Sequence, residues 1–511
     1  MFNIVNITFH LYPLGGTMTG IILALLLVPL FSALLVFSIP NNRKELFRPI
    51  GIVFSLITFT QSMYILFSDY SKSDFQILLK FEWIQVYGLE INLGISGMST
   101  LLLLLSSLLV LLSLLSIGKD HSESKGFIGS ILTLHFAING VFISGDLISL
   151  FIFFEALLIP MYFLMGIWGG DNRRYATIKF ILYTVFGSIF IFIGTVYTAV
   201  ISYGVNARLA VDFETLSTLQ ISASQSKTLF LLFTFGFLIK VLFSATYMVT
   251  DAHVEAPTAG SILLAGILLK VGAYGILRVS IPFFTEGFLE YKNIVAVLSV
   301  IGIIYGAVVA IAQIDIKKLI AYSSISHMGY VMLGISAGEF LSIEGAIIQM
   351  INHGITAGAL FMLVGFIYER RHTRNISSFG GVKITMPRYA AIFLFTSFAS
   401  IGLPGLNGFV GEFMILMGSY NSYKVLTSIA AFGVVLAAIY MLWAYQRVFT
   451  GPLSNEENKN LQDLNLRETV SIFPLVLLML FIGIFPSYIE SFVIQEAGNL
   501  SETISLFRST K

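Results

Sequence analysis

The fold class this sequence predicts is an all-α polytopic membrane protein, and three observations carry it. Hydrophobic residues make up 56% of the 511 positions and charged residues only 11%, far more apolar surface than a soluble core needs. Apolar runs of about 20 residues, long enough to cross a bilayer as a helix, recur along the whole chain. A few charges nevertheless sit inside such runs: Glu155 in FIFFEALLIP, Lys240 in FGFLIKVLF, Lys270 in AGILLKVGAYG and Glu412 in FVGEFMIL. Keeping a charge at bilayer depth costs about 3 kcal/mol or more, so these residues are expected to face a partner or a water-filled path. Movement of charge across the membrane is the function class they suggest.

Fourteen windows are long enough to span: 18–38, 49–68, 98–117, 126–145, 146–168, 175–203, 228–248, 256–281, 293–313, 317–337, 343–368, 388–419, 424–450 and 469–490. The first has an uncharged leader and many spans after it, so it reads as a membrane helix and not a cleaved signal. Between the second and third, QILLKFEWIQVYGLEINLGI alternates apolar and polar residues around a glycine, which suits a small surface hairpin. Asp146 opens the fifth window as a helix-start carboxylate favoured by the positive end of the dipole. The twelfth window is interrupted by Gly402, Pro404, Gly405 and Gly408 in SIGLPGLNGFVGEF, a few residues before Glu412. Such a break frees backbone groups that need protein or water, as in transporter sites.

Orientation follows from the basic residues. With both termini outside, eighteen Lys and Arg residues from Arg43 to Arg467 fall on inner loops and only seven on outer loops. The formal charge of +1 offers no basic face for nucleic acid. The absence of cysteine excludes disulfides, iron-sulfur ligation and thiolate zinc sites on this chain.

Glu155, Lys240, Lys270, His327, His353 and Glu412 all fall near the middle of their windows. A row of these types at one depth suits lateral proton transfer, because burial moves lysine and glutamate toward neutrality and histidine starts there. Metal binding suits them less, since lysine is a poor ligand and no His and carboxylate share a helix at ligand spacing. Plainer readings exist: a structural ion pair for Glu155 with Lys240, a serine-satisfied core histidine for His327 in YSSISHMGY, and a packing role for His135.

The strings DAHVEAPTAGSILLAGILLKVGAYGILR, DIKKLIAYSSISHMGYV, INHGITAGALFMLVGFIYER and SIGLPGLNGFVGEF closely resemble the antiporter-like subunits of proton-pumping NADH:quinone oxidoreductase, respiratory complex I, and most narrowly the chain M (subunit 4) branch. The resemblance covers helices 3 to 14. It implies two inverted five-helix repeats and discontinuous helices 7 and 12. The chain would then divide into 1–125 (helices 1–3 with the hairpin), 126–281 (first repeat), 293–450 (second repeat) and 451–511 (a loop, helix 14 and an outer tail). The resemblance also implies roles: Glu155 pairs with Lys240, Lys270 is the central lysine, His327 and His353 connect, and Glu412 lies at the exit. The implied partners are other membrane-arm subunits of complex I, and NADH, FMN, iron-sulfur clusters and quinone are expected on partner subunits; no cofactor or metal is expected here, where no dinucleotide fingerprint occurs. The implied setting is a bacterial inner membrane. Two other classes share the architecture, an Mrp-type cation/proton antiporter subunit and the membrane arm of an energy-converting hydrogenase; gene neighbours separate them.

One stretch departs from the family. Where relatives commonly carry Pro-Leu-His-Thr-Trp-Leu-Pro before Asp-Ala-His, this chain has Ser244-Ala245-Thr246-Tyr247-Met248-Val249-Thr250, with no proline. A permitted coding, TCC GCT ACA TAC ATG GTT ACC, read one base later gives Pro-Leu-His-Thr-Trp-Leu, which points to a compensated frameshift. If the segment is genuine, helix 7 loses its proline break and runs further.

Overall fold

The computed structural model describes residues 9–11, 16–68, 72, 74–84, 87–453 and 455–509, without the side chains of 9–11, 119–120 and 242–249. Helices dominate. In chain order they are α1 (Gly16–Ser38), α2 (Phe47–Leu66), α3 (Gly97–Ser116), α4 (Lys125–Ile143), α5 (Leu147–Trp168), α6 (Arg173–Asn206), α7 (223–255), α8 (Thr258–Phe283), α9 (Thr285–Ile311), α10 (Ile316–Ala337), α11 (Phe340–Arg371), α12 in two halves (Pro387–Ser400 and Asn407–Tyr420), α13 (Lys424–Phe449), α14 (Leu466–Ile484) and α15 (Pro486–Ser509).

Eleven described helices are long and apolar enough to cross a membrane: α1 to α6, α8, α9, α11, α13 and α14. Those facing outward are apolar on their exposed side, as α6 shows with Leu182 at 64% and Phe186 at 52% exposure. An outer surface of leucine and phenylalanine is stable only against lipid. At the centre, α8 and α11 are buried throughout their apolar windows, and α3 and α4 nearly so. Lys270 and His353 lie on these central helices, and Lys240, His327 and Glu412 are buried on α7, α10 and α12.

The expected hairpin is present. Strands β2 (Gln76–Ile84) and β3 (Leu89–Ile95) pair antiparallel with Gln76 opposite Ile95. A short strand, β1 (Phe9–Leu11), adds to β2 with Phe9 opposite Phe81, which the sequence did not suggest. Capping explains several helix starts: Ser96 and Ser99 form a reciprocal box at α3, and Asp146 accepts from the Ser149 amide at α5. Asp146 thus holds the helix-start role expected of it.

Three elements differ from expectation. α7 is not broken; its helical backbone passes through a π turn at Ile239–Phe243 and continues to Glu255. No proline is available there to remove an amide or block the preceding carbonyl. The side chains of the divergent stretch lie outside the described residues apart from Thr250. The window 469–490 ends early, at Ile484, because Phe485 leaves the helical region and Pro486 starts α15. The expected outer tail is accordingly a 24-residue helix. Its Glu496 accepts from the Met98 amide at the start of α3 (3.1 Å) and pairs with Arg278 of α8.

Candidate functional site

Four of the six residues singled out in the sequence meet in one buried row. Lys270 is the thirteenth of the 26 residues of α8, and its ammonium lies 2.6 Å from His353 Nδ1 on α11. Another N–H of Lys270 donates to the Ala265 carbonyl at 2.5 Å. That carbonyl belongs to a π turn, Leu264–Leu268, whose wider spacing leaves carbonyls off the regular helical ladder. The His353 ring lies 5.6 Å, centroid to centroid, from that of His327 on α10. His327 Nδ1 in turn stands 2.6 Å from Glu412 Oε1 on the second half of α12. All four are at most 4% exposed.

Neutral groups orient the row. The Ser400 and Tyr440 hydroxyls lie 3.3 and 3.5 Å from His327 Nε2; with both hydroxyls donating, the histidine carries its proton on Nδ1, directed at Glu412. Gln349 donates its side-chain N–H to Glu412 Oε1 at 3.0 Å. Asn352 and Asn407 donate to each other's backbone carbonyls (2.6 and 3.2 Å), fastening α11 to the start of the second half of α12. Between the halves, Gly402 and Gly405 adopt positive φ of 76° and 90°, and Leu403 donates back to Phe398. Gly408 has no room for a side chain: a Cβ there would stand 2.0 Å from the Ala399 carbonyl.

Glu155 and Lys240 form the other part of the pattern. The Lys240 ammonium sits over the Phe154 ring, 3.5 Å from its centroid, within electrostatic reach of Glu155. Glu155 Oε1 is buried with no hydrogen-bond partner among the described residues. The Lys240 backbone packs against Gly272 of α8, whose missing Cβ would lie 3.5 Å from that of Lys240.

Sequence reasoning missed a second group of buried polar residues. A cavity of about 420 Å³ opens beside the start of α8 and the end of α11, lined in part by Glu255, Lys317, Glu369, His372 and Arg374. Lys317, counted in the sequence as an inner-loop charge, is only 7% exposed and donates to the Ala256 carbonyl at 2.6 Å. His253 is fully buried and stacked on Phe361 at 4.8 Å. Neither of its ring nitrogens has a hydrogen-bond partner among the described residues, and it lies within electrostatic reach of both Lys317 and Lys270. Its presence in DAHVEAPT was the available signal. His135 meets the Ser107 hydroxyl at 3.4 Å, away from the row.

Buried titratable groups joined across several membrane helices define a protein of the class that moves charge through a bilayer. The chain belongs to the family described as NADH:quinone oxidoreductase/Mrp antiporter, TM, whose model matches residues 144–439. It is 40% identical over 469 residues to NADH-quinone oxidoreductase subunit M of Rickettsia conorii, covering 90% of this chain and 94% of that one. Against NADH-ubiquinone oxidoreductase chain 4 of Marchantia polymorpha it is 37% identical over 481 residues, with 93% and 95% covered. A chain in the structure of respiratory complex I from Thermus thermophilus with bound NADH superposes with a TM-score of 0.85 at 29% identity, over 95% of this chain and 99% of that one. The Mrp complex from Dietzia sp. shares the fold at a TM-score of 0.82 and 17% identity, over 96% and 98%.

Proposed function

We propose that this chain is a proton-translocating membrane subunit of a bacterial NADH:quinone oxidoreductase. The observation that carries this reading is the buried succession Lys270, His353, His327, Glu412, with close contacts at both ends and the two imidazole rings 5.6 Å apart between them. Electron transfer from NADH through FMN and iron-sulfur clusters to quinone takes place on partner subunits and perturbs Glu155 and Lys240. Three helices join the eleven apolar ones to make fourteen crossings: α7, α10 and α12, whose polar residues or break belong to the relay. In this reading α4 to α8 and α9 to α13 are inverted repeats, and both termini lie outside the inner membrane. The subunit-M relatives support this assignment over the antiporter and hydrogenase classes.

The chemistry follows from the atoms. Lysine has three N–H donors and no acceptor, so charged Lys270 gives a proton to His353 Nδ1. His353 then passes its other ring proton, through an intervening water, to His327 Nε2. His327 releases the Nδ1 proton to Glu412, which discharges it outward. Uptake from the inner side runs past Lys317 and His253 to restore Lys270, while Glu155 and Phe154 hold the Lys240 charge that sets when Lys270 lets go.

The test combines two measurements. Mass spectrometry of a mild-detergent preparation is expected to find quinone-site and NADH-oxidising subunits co-purifying; small antiporter subunits or a nickel-binding large subunit in their place would refute the assignment. In inverted vesicles, Lys270→Ala and Glu412→Ala are each expected to reduce proton pumping sharply with assembly largely intact. Normal pumping removes that residue from the path.

A further inference from the structure

Glu412 is 4% exposed and, in the proposed relay, alternates between carboxylate and carboxylic acid. The two forms ask opposite things of a neighbour: the carboxylate only accepts hydrogen bonds, whereas the acid must donate one. Gln349 is 2% exposed, and its Nε2 donates to Glu412 Oε1 at 3.0 Å. Its own Oε1 is buried with no hydrogen-bond partner among the described residues, an unusual state for a carbonyl oxygen. That oxygen lies against Gly411, where a Cβ would come within 2.5 Å of it. The site therefore contains a carboxamide with its donor engaged, its acceptor idle and a glycine leaving space on the idle side.

We propose that Gln349 is a positioning residue that reverses its carboxamide with the protonation of Glu412. While Glu412 is a carboxylate, Nε2 donates to it beside His327 Nδ1. When the proton moves from His327 Nδ1 to Glu412, leaving neutral histidine and a carboxylic acid, the amide turns half a revolution and Oε1 accepts the new O–H. The acid is then held by Gln349 instead of His327, which opposes return of the proton along the row. Loss of the proton outward restores the carboxylate and the first amide orientation. No lysine or arginine in this position could serve both states, because neither has an acceptor.

The proposal rests on the relay role of Glu412, and the experiment separates the two. Intact complex is compared as wild type, Glu412→Gln, Gln349→Leu and Gln349→Met, reading the pH profile of pumping per NADH oxidised and the infrared C=O band of protonated Glu412, assigned by its loss in Glu412→Gln. Expected for Gln349→Leu are a displaced carboxyl band, because the acid loses its acceptor, and a pumping midpoint that moves by less than about one pH unit, because each protonation state loses one hydrogen bond. Wild-type pumping in Glu412→Gln overturns the relay role and the proposal with it. A defective Glu412→Gln beside a Gln349→Leu complex whose carboxyl band is unmoved, with or without a midpoint raised by a full unit, marks at most a fixed donor and overturns the proposal alone. If Gln349→Leu fails to assemble, Gln349→Met of similar length decides by the same readings: a displaced carboxyl band with the midpoint moved by less than about one unit supports the proposal, and an unmoved band overturns it.

Discussion

Lys270 is held by two acceptors of different kinds, a backbone carbonyl that cannot take its proton and an imidazole that can. Arginine would keep a positive charge in the same place yet never surrender it. Lys270→Arg is therefore expected to assemble and to lower pumping about 100-fold, the low end of what a positioned proton donor contributes; pumping in inverted vesicles checks this. A second comparison concerns Lys240 and His327. Water can take the place of an imidazole in a polar channel, whereas nothing replaces the charge of Lys240, so Lys240→Ala is expected to impair turnover more than His327→Ala. Equal or reversed effects in NADH-driven quinone reduction would exclude the controlling role given to Lys240. The charged members of the site were legible because Glu155, Lys240, Lys270 and Glu412 stand out from apolar surroundings. Gln349, Ser400, Tyr440 and Phe154 were not, since neutral polar and aromatic residues occur all along membrane helices and only proximity gives these four a role.

Among the elements, the break in α12 depends on glycine at close quarters. With the Ala399 carbonyl 2.0 Å from where its Cβ would stand, Gly408→Ala forces the two halves apart. Overpacking of this kind costs about 1–3 kcal/mol, and a lowered melting temperature of the purified complex is the expected result. This break could be read from SIGLPGLNGFVGEF because proline and glycine carry local backbone instructions. The π turn beneath Ala265 could not, since it has no residue signature and follows from packing. α7 poses a question that genomic DNA answers. Resequencing codons 244–250 is expected to return the shifted frame with its prolines; an unaltered read supported by a peptide containing Tyr247-Met248-Val249 would establish the unbroken helix as genuine.

For the whole molecule, hydropathy conveyed the helical membrane class, and eleven of the described helices are long and apolar enough to cross, because bilayer thickness imposes one length on every crossing. It did not convey α15, which is too polar to span and instead lies against α3, α8 and α11. The lack of native cysteine makes topology directly measurable. Single substitutions Lys459→Cys and Ser505→Cys are expected to react with an impermeant maleimide from opposite sides, Ser505→Cys from outside. Labelling of both from one side would contradict the outward placement of the termini.

The row from Lys270 to Glu412 passes from helix to helix near mid-height and not along any one of them. An electric field across the membrane points along the normal, so a proton stepping sideways does almost no work against it. In the proposed relay the full charge, at about 2.3 kcal/mol per 100 mV, is met on the vertical legs alone: inward of Lys270, past His253, and outward of Glu412. Substitutions in the row should slow the pump equally at every voltage, and only changes to those two legs should alter how steeply it stalls as the membrane becomes charged.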